Sequence, residues 1–280
     1  MLAWPAAGQI GGYLAYDASL PQGWAVREYL KQLNAPLPLW NTAKQKLLEN
    51  KQIFSHTIAR FDPDLYCRYA PHYDYTFFEM QHSTMTWGDI ERMIAACPRV
   101  GMPMIRVPDE FESTLQKATD IGAIGIFEPT VDTVEKAQAV VRYARFPPEG
   151  RRSQGAGQAP AIWAVNGIDY RRTVNANMLI VMMIETPIGV ANAYDIARIP
   201  GVDGLLVANT DLGNFSGFAP QSPQYEALVN QIHDSALKAG KFLGTVTTAY
   251  AQPGGVRGRA DHADFRLNYN GPAHDGWQPR

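Results

Sequence analysis

The sequence predicts an α/β protein, and within that class a TIM (β/α)8 barrel. Three observations predict it. From about residue 41 onward, short strand-like runs alternate with longer helical ones. Several of the short runs are almost continuously apolar, as expected of parallel strands buried on both faces. The runs number eight, which is the count that closes such a barrel. An open doubly wound sheet is the structural alternative, but no GxGxxG follows the first strand.

Residues 1–40 are rich in Pro, Gly and aromatics and read as an irregular N-terminal extension with one short helix at 23–33 (GWAVREYLKQL). The barrel domain is taken as 41–280. It opens with NTAKQKLLEN, which has an Asn/Thr start and helical apolar spacing. The strands that follow are QIFSHTI (52–58), YTFFEMQ (75–81), MPMIRV (102–107) and AIGIFEP (123–129). MLIVMMIE (178–185), VDGLLVA (202–208), FLGTVTT (242–248) and ADFRLNY (263–269) complete the set. Between them lie helical segments such as WGDIERMIAACP, EFESTLQKATDI, VDTVEKAQAVVRYARF and PQYEALVNQIHDSALKAG.

Two stretches break the rhythm. Roughly fifty residues separate the fourth and fifth strands, and a helix at 132–145 uses only part of them. The remainder includes FPPEGRRSQGAGQAPAIWAVNG (146–167), expected to be a functional loop or lid in which Gly155 and Gly157 allow backbone shapes other residues resist. After the last strand comes NGPAHDGWQPR, an atypical tail with no closing helix.

Composition narrows the function. In 280 residues, 46% hydrophobic and 19% charged content excludes a disordered or fibrous chain. A net charge of −2 without a basic block argues against nucleic acid or an anionic membrane surface as partner. No apolar stretch is long enough for a transmembrane helix. The N-terminus lacks the basic flank and apolar run of a secretory signal, so a cytoplasmic location is the default, with an exported form whose signal was removed as the alternative. Cys67 and Cys97, without a CxxC, are expected to be two buried thiols rather than a disulfide or a zinc site. There is no G-x-S-x-G, HExxH or P-loop.

The chemistry of a TIM barrel sits at the carboxyl ends of its strands. Glu185 ends the run MLIVMMI, and Asp211 follows GLLVANT one βαβ unit later. Their carboxylates can converge into a hard oxygen site for Mg²⁺ or Mn²⁺. The alternative is a helix cap for Asp211 and a salt bridge for Glu185. His82 follows FFEMQ and is either a general base or a satisfied structural histidine. Glu79 and Gln81 lie beside it and share one face. Arg106 ends MPMI and suits a carboxylate, enolate or phosphate, or else an interstrand salt bridge with Glu79 or Glu128. Together these strand ends supply a base, a cation and two metal ligands. His56, His72, His233, His262 and His274 receive no role, although His262 and His274 can line the mouth from the tail.

Five motifs carry a family resemblance: FFEMQHS (77–83), IRVP (105–108), FPPEGRRS (146–153), MIET (183–186) and GLLVANTDLG (204–213). By their order and spacing the chain resembles the HpcH/HpaI aldolase and citrate lyase family over about residues 45–250, nearer the class II pyruvate aldolases than the CoA lyases. The resemblance implies Glu185 and Asp211 as ligands of a divalent metal ion, Mg²⁺ or Mn²⁺ first and Co²⁺ or Zn²⁺ as alternatives. It implies His82 as general base and Arg106 as the group that stabilises a pyruvate enolate. The backbone at Thr210 and Asp211 matches the pyruvate carboxylate contact, and Arg152 falls on the family's loop arginine. Asp120, in ATDIG, matches an acid that raises the basicity of the histidine. It precedes its strand, so it can reach a His82 only across a subunit contact. That fits the family's homo-oligomers, built from dimers and extending to hexamers.

The function implied is a divalent-metal-dependent carbon–carbon lyase that makes or cleaves a 4-hydroxy-2-oxo acid from a 2-oxo acid and an aldehyde. The alternatives are related enolate chemistry in a decarboxylase, hydratase or CoA-ester lyase, the last using Arg151, Arg152, Arg257 or Arg259 for phosphates, or a non-catalytic relative. The chain departs from the family's pattern at several places. Met183 replaces a substrate-contacting Gln, Ala208-Asn209-Thr210 replaces Gly-Pro-Ala, Ser153 replaces Gly, and Glu128 stands where many relatives are apolar.

Overall fold

A computed structural model of the chain describes residues 19–155, 157–165, 167–220, 222–246 and 264–278. His262, Arg257 and Arg259 lie outside them. The eight expected strands are all present: β1 (Ile53–Ile58), β2 (Tyr75–Glu79), β3 (Met102–Arg106), β4 (Gly125–Glu128), β5 (Leu179–Ile184), β6 (Gly204–Val207), β7 (Phe242–Val246) and β8 (Phe265–Tyr269). All pair in parallel in chain order, and β8 pairs with β1 to close the barrel. β2 through β6 are buried at every position, the burial that their apolar runs require.

Helices α1 (Trp24–Gln32) and α2 (Thr42–Leu48) precede β1. Helices α3 (Pro63–Tyr69), α4 (Trp87–Ala96), α5 (Glu112–Asp120) and α6 (Val134–Ala144) follow the first four strands in turn. A short α7 (Ala159–Ile162) and α8 (Gly167–Asn177) come before β5, α9 (Pro187–Ala197) follows it, and α10 (Asn209–Ser216) and α11 (Pro223–Lys238) follow β6. The sequence starts these helices with side-chain caps. Asp62, Thr133, Thr186 and Ser222 each accept a hydrogen bond from a first-turn N–H, and Thr86 and Asp89 form a reciprocal capping box. Proline in the first turn of α3, α9 and α11 sets φ where an N–H has no partner to lose. No helix among the described residues is long and apolar enough to cross a membrane.

Three expectations are corrected. The described residues of 146–167 do not form a lid over this barrel's mouth. They connect the C-terminus of α6 to β5, so they run along the end where strands begin, and α7 and α8 order much of the connection. His274 does not line the mouth either. Its backbone N–H donates to His72 O on the turn into β2, and Trp277 stacks on His72 with centroids 4.4 Å apart, so the tail folds back along the outside of β1. The described residues after β8 contain no helix. Cys67 and Cys97 are not buried thiols. They are half-buried and joined in a disulfide between α3 and the end of α4, with Cα atoms 5.5 Å apart.

The end of the barrel where strands begin is closed by α2 and by buried charge. Asp203, just before β6, accepts from Lys44 Nζ at 2.9 Å, from the Ile180 N–H at 2.8 Å and from Arg145 Nη2 at 3.4 Å. Lys241 Nζ donates to Val202 O at 2.8 Å, and Arg145 donates to Asn175 O and Gly201 O. None of the four charged residues is more than 4% exposed. Burial pushes Lys44 and Lys241 down to about 8, against the pull of the Asp203 charge. One carboxylate thus serves three buried cations. Asp203→Asn should cost about 3–5 kcal/mol, because it leaves those cations without a counter-charge. Urea unfolding of wild type and variant measures this; a loss below about 1 kcal/mol would show that the cluster is held by its backbone carbonyls alone.

Candidate active site

At the mouth, Glu79 and Arg106 end neighbouring strands and face each other in register. Arg106 Nη2 donates to Glu79 Oε2. The other oxygen, Oε1, accepts the N–H groups of Gln81 (2.8 Å) and His82 (3.1 Å). One buried carboxylate therefore orients the guanidinium and shapes the turn that carries His82. The His82 side chain is exposed and takes no hydrogen bond among the described residues. Arg106 lies over Phe77 at 5.7 Å, and its buried Nε has no partner among the described residues. The interstrand bridge with Glu79 is thus formed, and one donor of Arg106 is left over.

Glu185 follows β5 and is 2% exposed. Thr130 Oγ1, on the loop between β4 and α6, donates to Glu185 Oε2 at 2.9 Å. Glu185 Oε1 is buried with no partner among the described residues. Burial raises the Glu185 carboxyl above its ordinary range, and the Asp211 charge adds to the rise; Thr130 and Arg106 oppose it. Asp211 sits half-buried in the first turn of α10, whose N-cap is Ala208, so Asp211 is not the cap. Two carboxylates close enough to repel, one with a bare buried oxygen, fit a hard divalent cation that takes its remaining ligands from water or substrate. Among the described residues no group of three or more His, Cys, Asp or Glu gathers to complete a site from protein alone. Thr210 is exposed on the same turn of α10, where helix N–H groups lack intrahelical partners and suit an anion.

The structure does not bring Asp120 or Arg152 to this mouth. Asp120 ends α5 and so lies where strands begin. Arg152 pairs with it at 2.8 Å, donates to the Tyr170 hydroxyl at 3.3 Å and lies over Phe146 at 4.4 Å. Gln116 ties Asp120 to Ser153. Gly157 packs against this pair; a Cβ there would fall 2.5 Å from Asp120 O.

Two mouth residues, Thr130 and Tyr269, have no role in the sequence reading, and Glu79 has one only as a candidate salt-bridge partner of Arg106. Alternation along β2 puts Glu79 in the barrel, and that signal was readable. Tyr269 ends β8, stacks on Phe77 at 4.9 Å and is half-buried. Burial raises its phenol; Arg106 opposes this, while Glu79, Asp211 and Glu185 add to it. Thr130 gives no sequence signal, since its contact lies 55 positions away. Among the departures, Met183 is buried on the strand face that leads to Glu185, and Asn209 donates to Thr245 Oγ1 at 3.0 Å.

Glu128 ends β4 on the outer face, fully buried, with Lys136 Nζ 3.1 Å from its Oε1. Burial pushes Glu128 up to about 8 against the attraction of Lys136. Lys136 also donates to Pro129 O (2.8 Å) and Thr130 O (3.2 Å), which fastens the loop carrying Thr130.

Residues 67–265 match the HpcH/HpaI aldolase/citrate lyase family. The chain is 30% identical over 221 residues to the hydroxypyruvate/pyruvate aldolase of Roseobacter denitrificans, covering 76% of this chain and 84% of the relative. It is 28% identical over 185 residues to the 2-keto-3-deoxy-L-rhamnonate aldolase of Salmonella gallinarum, covering 64% and 69%. Among solved structures, an HpcH/HpaI aldolase/citrate lyase family protein from Burkholderia cenocepacia superposes with a TM-score of 0.71 at 26% identity, covering 82% of this chain and 92% of that one.

Glu128 gives the site a pH signature. A carboxyl whose folded pKa is raised from 4.5 to about 8 stabilises the fold fully below 4.5, and loses that contribution as pH rises through 8. Thermal melts of wild type should therefore fall between pH 5 and 8 relative to Glu128→Gln. A constant offset between the two would mean that Lys136 keeps Glu128 ionised throughout.

Proposed function

Because this chain belongs to the HpcH/HpaI aldolase/citrate lyase family, we propose that it makes and cleaves 4-hydroxy-2-oxo acids through a pyruvate-type enolate. It is a carbon–carbon lyase of the aldolase kind. The observation that carries the reading is the convergence at one barrel mouth of Glu185, Asp211 and Arg106 around a bare buried carboxylate oxygen. A divalent cation, Mg²⁺ or Mn²⁺ with Co²⁺ or Zn²⁺ as alternatives, would be held by Glu185 and Asp211 and makes the carbon beside the 2-oxo group acidic.

The side chains divide the remaining work. The first-turn N–H groups of α10 at Thr210 and Asp211 receive the substrate carboxylate. In cleavage, His82 takes the proton of the 4-hydroxyl. The C3–C4 bond breaks, the aldehyde leaves, and the electron pair stays on the pyruvate fragment as its enolate. Arg106, held by Glu79, stabilises that negative charge through its guanidinium. In synthesis His82 removes the C3 proton instead, and the enolate attacks the aldehyde. The names of the relatives support small 2-oxo acids as the substrate class. Among the described arginines of the CoA alternative, Arg151 pairs with Glu112 and Arg152 with Asp120, which favours the simpler substrate.

Asp120 and Arg152 take part only in a homo-oligomer, dimer-based or hexameric, in which this end of one barrel meets the mouth of another. Exposed Phe61, Phe111 and Phe218 on the connections that follow strands, with Ile188 in the first turn of α9 and Phe215 in α10, support a covered surface there. For location, the cytoplasm is the default reading, whereas the Cys67–Cys97 bridge favours an oxidising compartment.

The test is deuterium exchange into the methyl group of pyruvate, followed by NMR. Wild type with Mg²⁺ or Mn²⁺ should exchange, EDTA should stop it, and Glu185→Ala should abolish it. His82→Ala should lower the rate by about 10²–10⁴-fold. Exchange that survives both EDTA and Glu185→Ala would remove the metal from the mechanism. No exchange with any metal would move the substrate to another 2-oxo acid or ester, with Met183 the first residue to revert.

A further inference from the structure

We propose that Thr130 is a positioning residue that decides which oxygen of Glu185 meets the divalent cation, and that the loop from β4 to α6 is held strained for this purpose. The inference rests on the proposed metal role of Glu185 and Asp211. Its first observation is backbone strain. Thr130 has φ +49°, in the left-handed region, which a β-branched residue rarely enters. Gly or Asn would adopt this conformation more readily. A strained residue persists only where its surroundings over-determine it.

The surroundings do so from both sides. Lys136 Nζ donates to the carbonyls of Pro129 and Thr130 and is anchored by buried Glu128. The N–H of Val131 donates to Met183 O at 3.1 Å. Asp132 accepts from Thr186 Oγ1 through its side chain and from Asn192 Nδ2 through its carbonyl, the latter at 2.7 Å. A Cβ on Gly189 would fall 2.7 Å from Val131 O, so only glycine lets α9 pack this closely against the loop.

The strained conformation delivers one hydroxyl. Thr130 Oγ1 occupies Glu185 Oε2, and Oε1 is the buried oxygen left bare. A carboxylate committed in this way presents one oxygen in a fixed plane. That favours a small cation with strict octahedral geometry over a larger one that accepts both oxygens. A partner of a ligand that orients it without touching the metal is expected to change metal affinity by about 10–100-fold.

Strain and function make opposite predictions at this position, which is the basis of the test. Mn²⁺ binding to the full chain is measured by the EPR signal of the free ion, and metal-free thermal melting is recorded in EDTA. Thr130→Ser keeps the hydroxyl and should bind Mn²⁺ as wild type does. Thr130→Val keeps the shape without the donor and should bind about 10–100-fold more weakly. Thr130→Gly should bind equally weakly while melting at or above the wild-type temperature. Val and Gly variants that bind as wild type does, or that lose binding only in step with a lower melting temperature, overturn the role of Thr130. Wild type that binds no Mn²⁺, as Glu185→Ala should not, overturns the metal site itself and this inference with it.

Discussion

Ring closure through the pairing of β8 with β1 is the constraint on which the molecule depends. Parallel strands that close into a ring place all their carboxyl ends on one rim, whatever lies between them in sequence. Glu79, Arg106, Glu128, Glu185 and Tyr269 are scattered over 190 positions of chain, yet each ends or directly follows a strand. Closure leaves little freedom inside. Gly125 and Gly204 occupy positions where a Cβ would fall 2.6 Å from the Met104 side chain and 2.9 Å from Phe242 O, so the interior is filled to the limit of packing.

Buried charge is gathered at both ends of the barrel. Where strands begin, Asp203 pairs with Lys44 and Arg145, and Lys44, Arg145 and Lys241 donate to nearby carbonyls, although Arg145 Nε is buried without a partner among the described residues. At the mouth, Glu185 Oε1, Arg106 Nε and Gln81 Oε1 are buried without a partner among the described residues. Leaving such atoms bare is costly in a fold that has no further use for them. The cost falls on the rim where the helices also begin, so unsatisfied groups and helix N-terminal N–H groups face the same space.

Part of this was legible in the chain. All eight strands, α1, α2, α4, α5, α6 and α11 showed their periodicity locally, and a strand-end acid or arginine could be read from where an apolar run stopped. Helix α9, PIGVANAYDIA, was not singled out because its residues are nearly uniformly apolar and leave no polar face to reveal a period. Helix α10 is short and overlaps the motif GLLVANTDLG, and α8 carries a weak amphipathic pattern behind a Gly-rich stretch. The disulfide was missed because Cys67 and Cys97 lie 30 positions apart on helices that only the barrel sets side by side.

By itself the sequence determined the fold class and that Glu185, Asp211, Arg106 and His82 stand at or just after strand ends, while its five motifs carried the resemblance to the family. The first two follow from local pattern: hydrophobic period fixes an element, and the end of the element fixes which residues reach the rim. Tertiary structure alone decided that Glu79 rather than Glu128 pairs with Arg106 and that it also holds the His82 turn, that Thr130 covers one oxygen of Glu185, and that Asp120 and Arg152 pair at the far end. Each of those is a contact between residues distant in sequence. Its energy exists only once closure has brought them together, so no window of the chain could carry its signal.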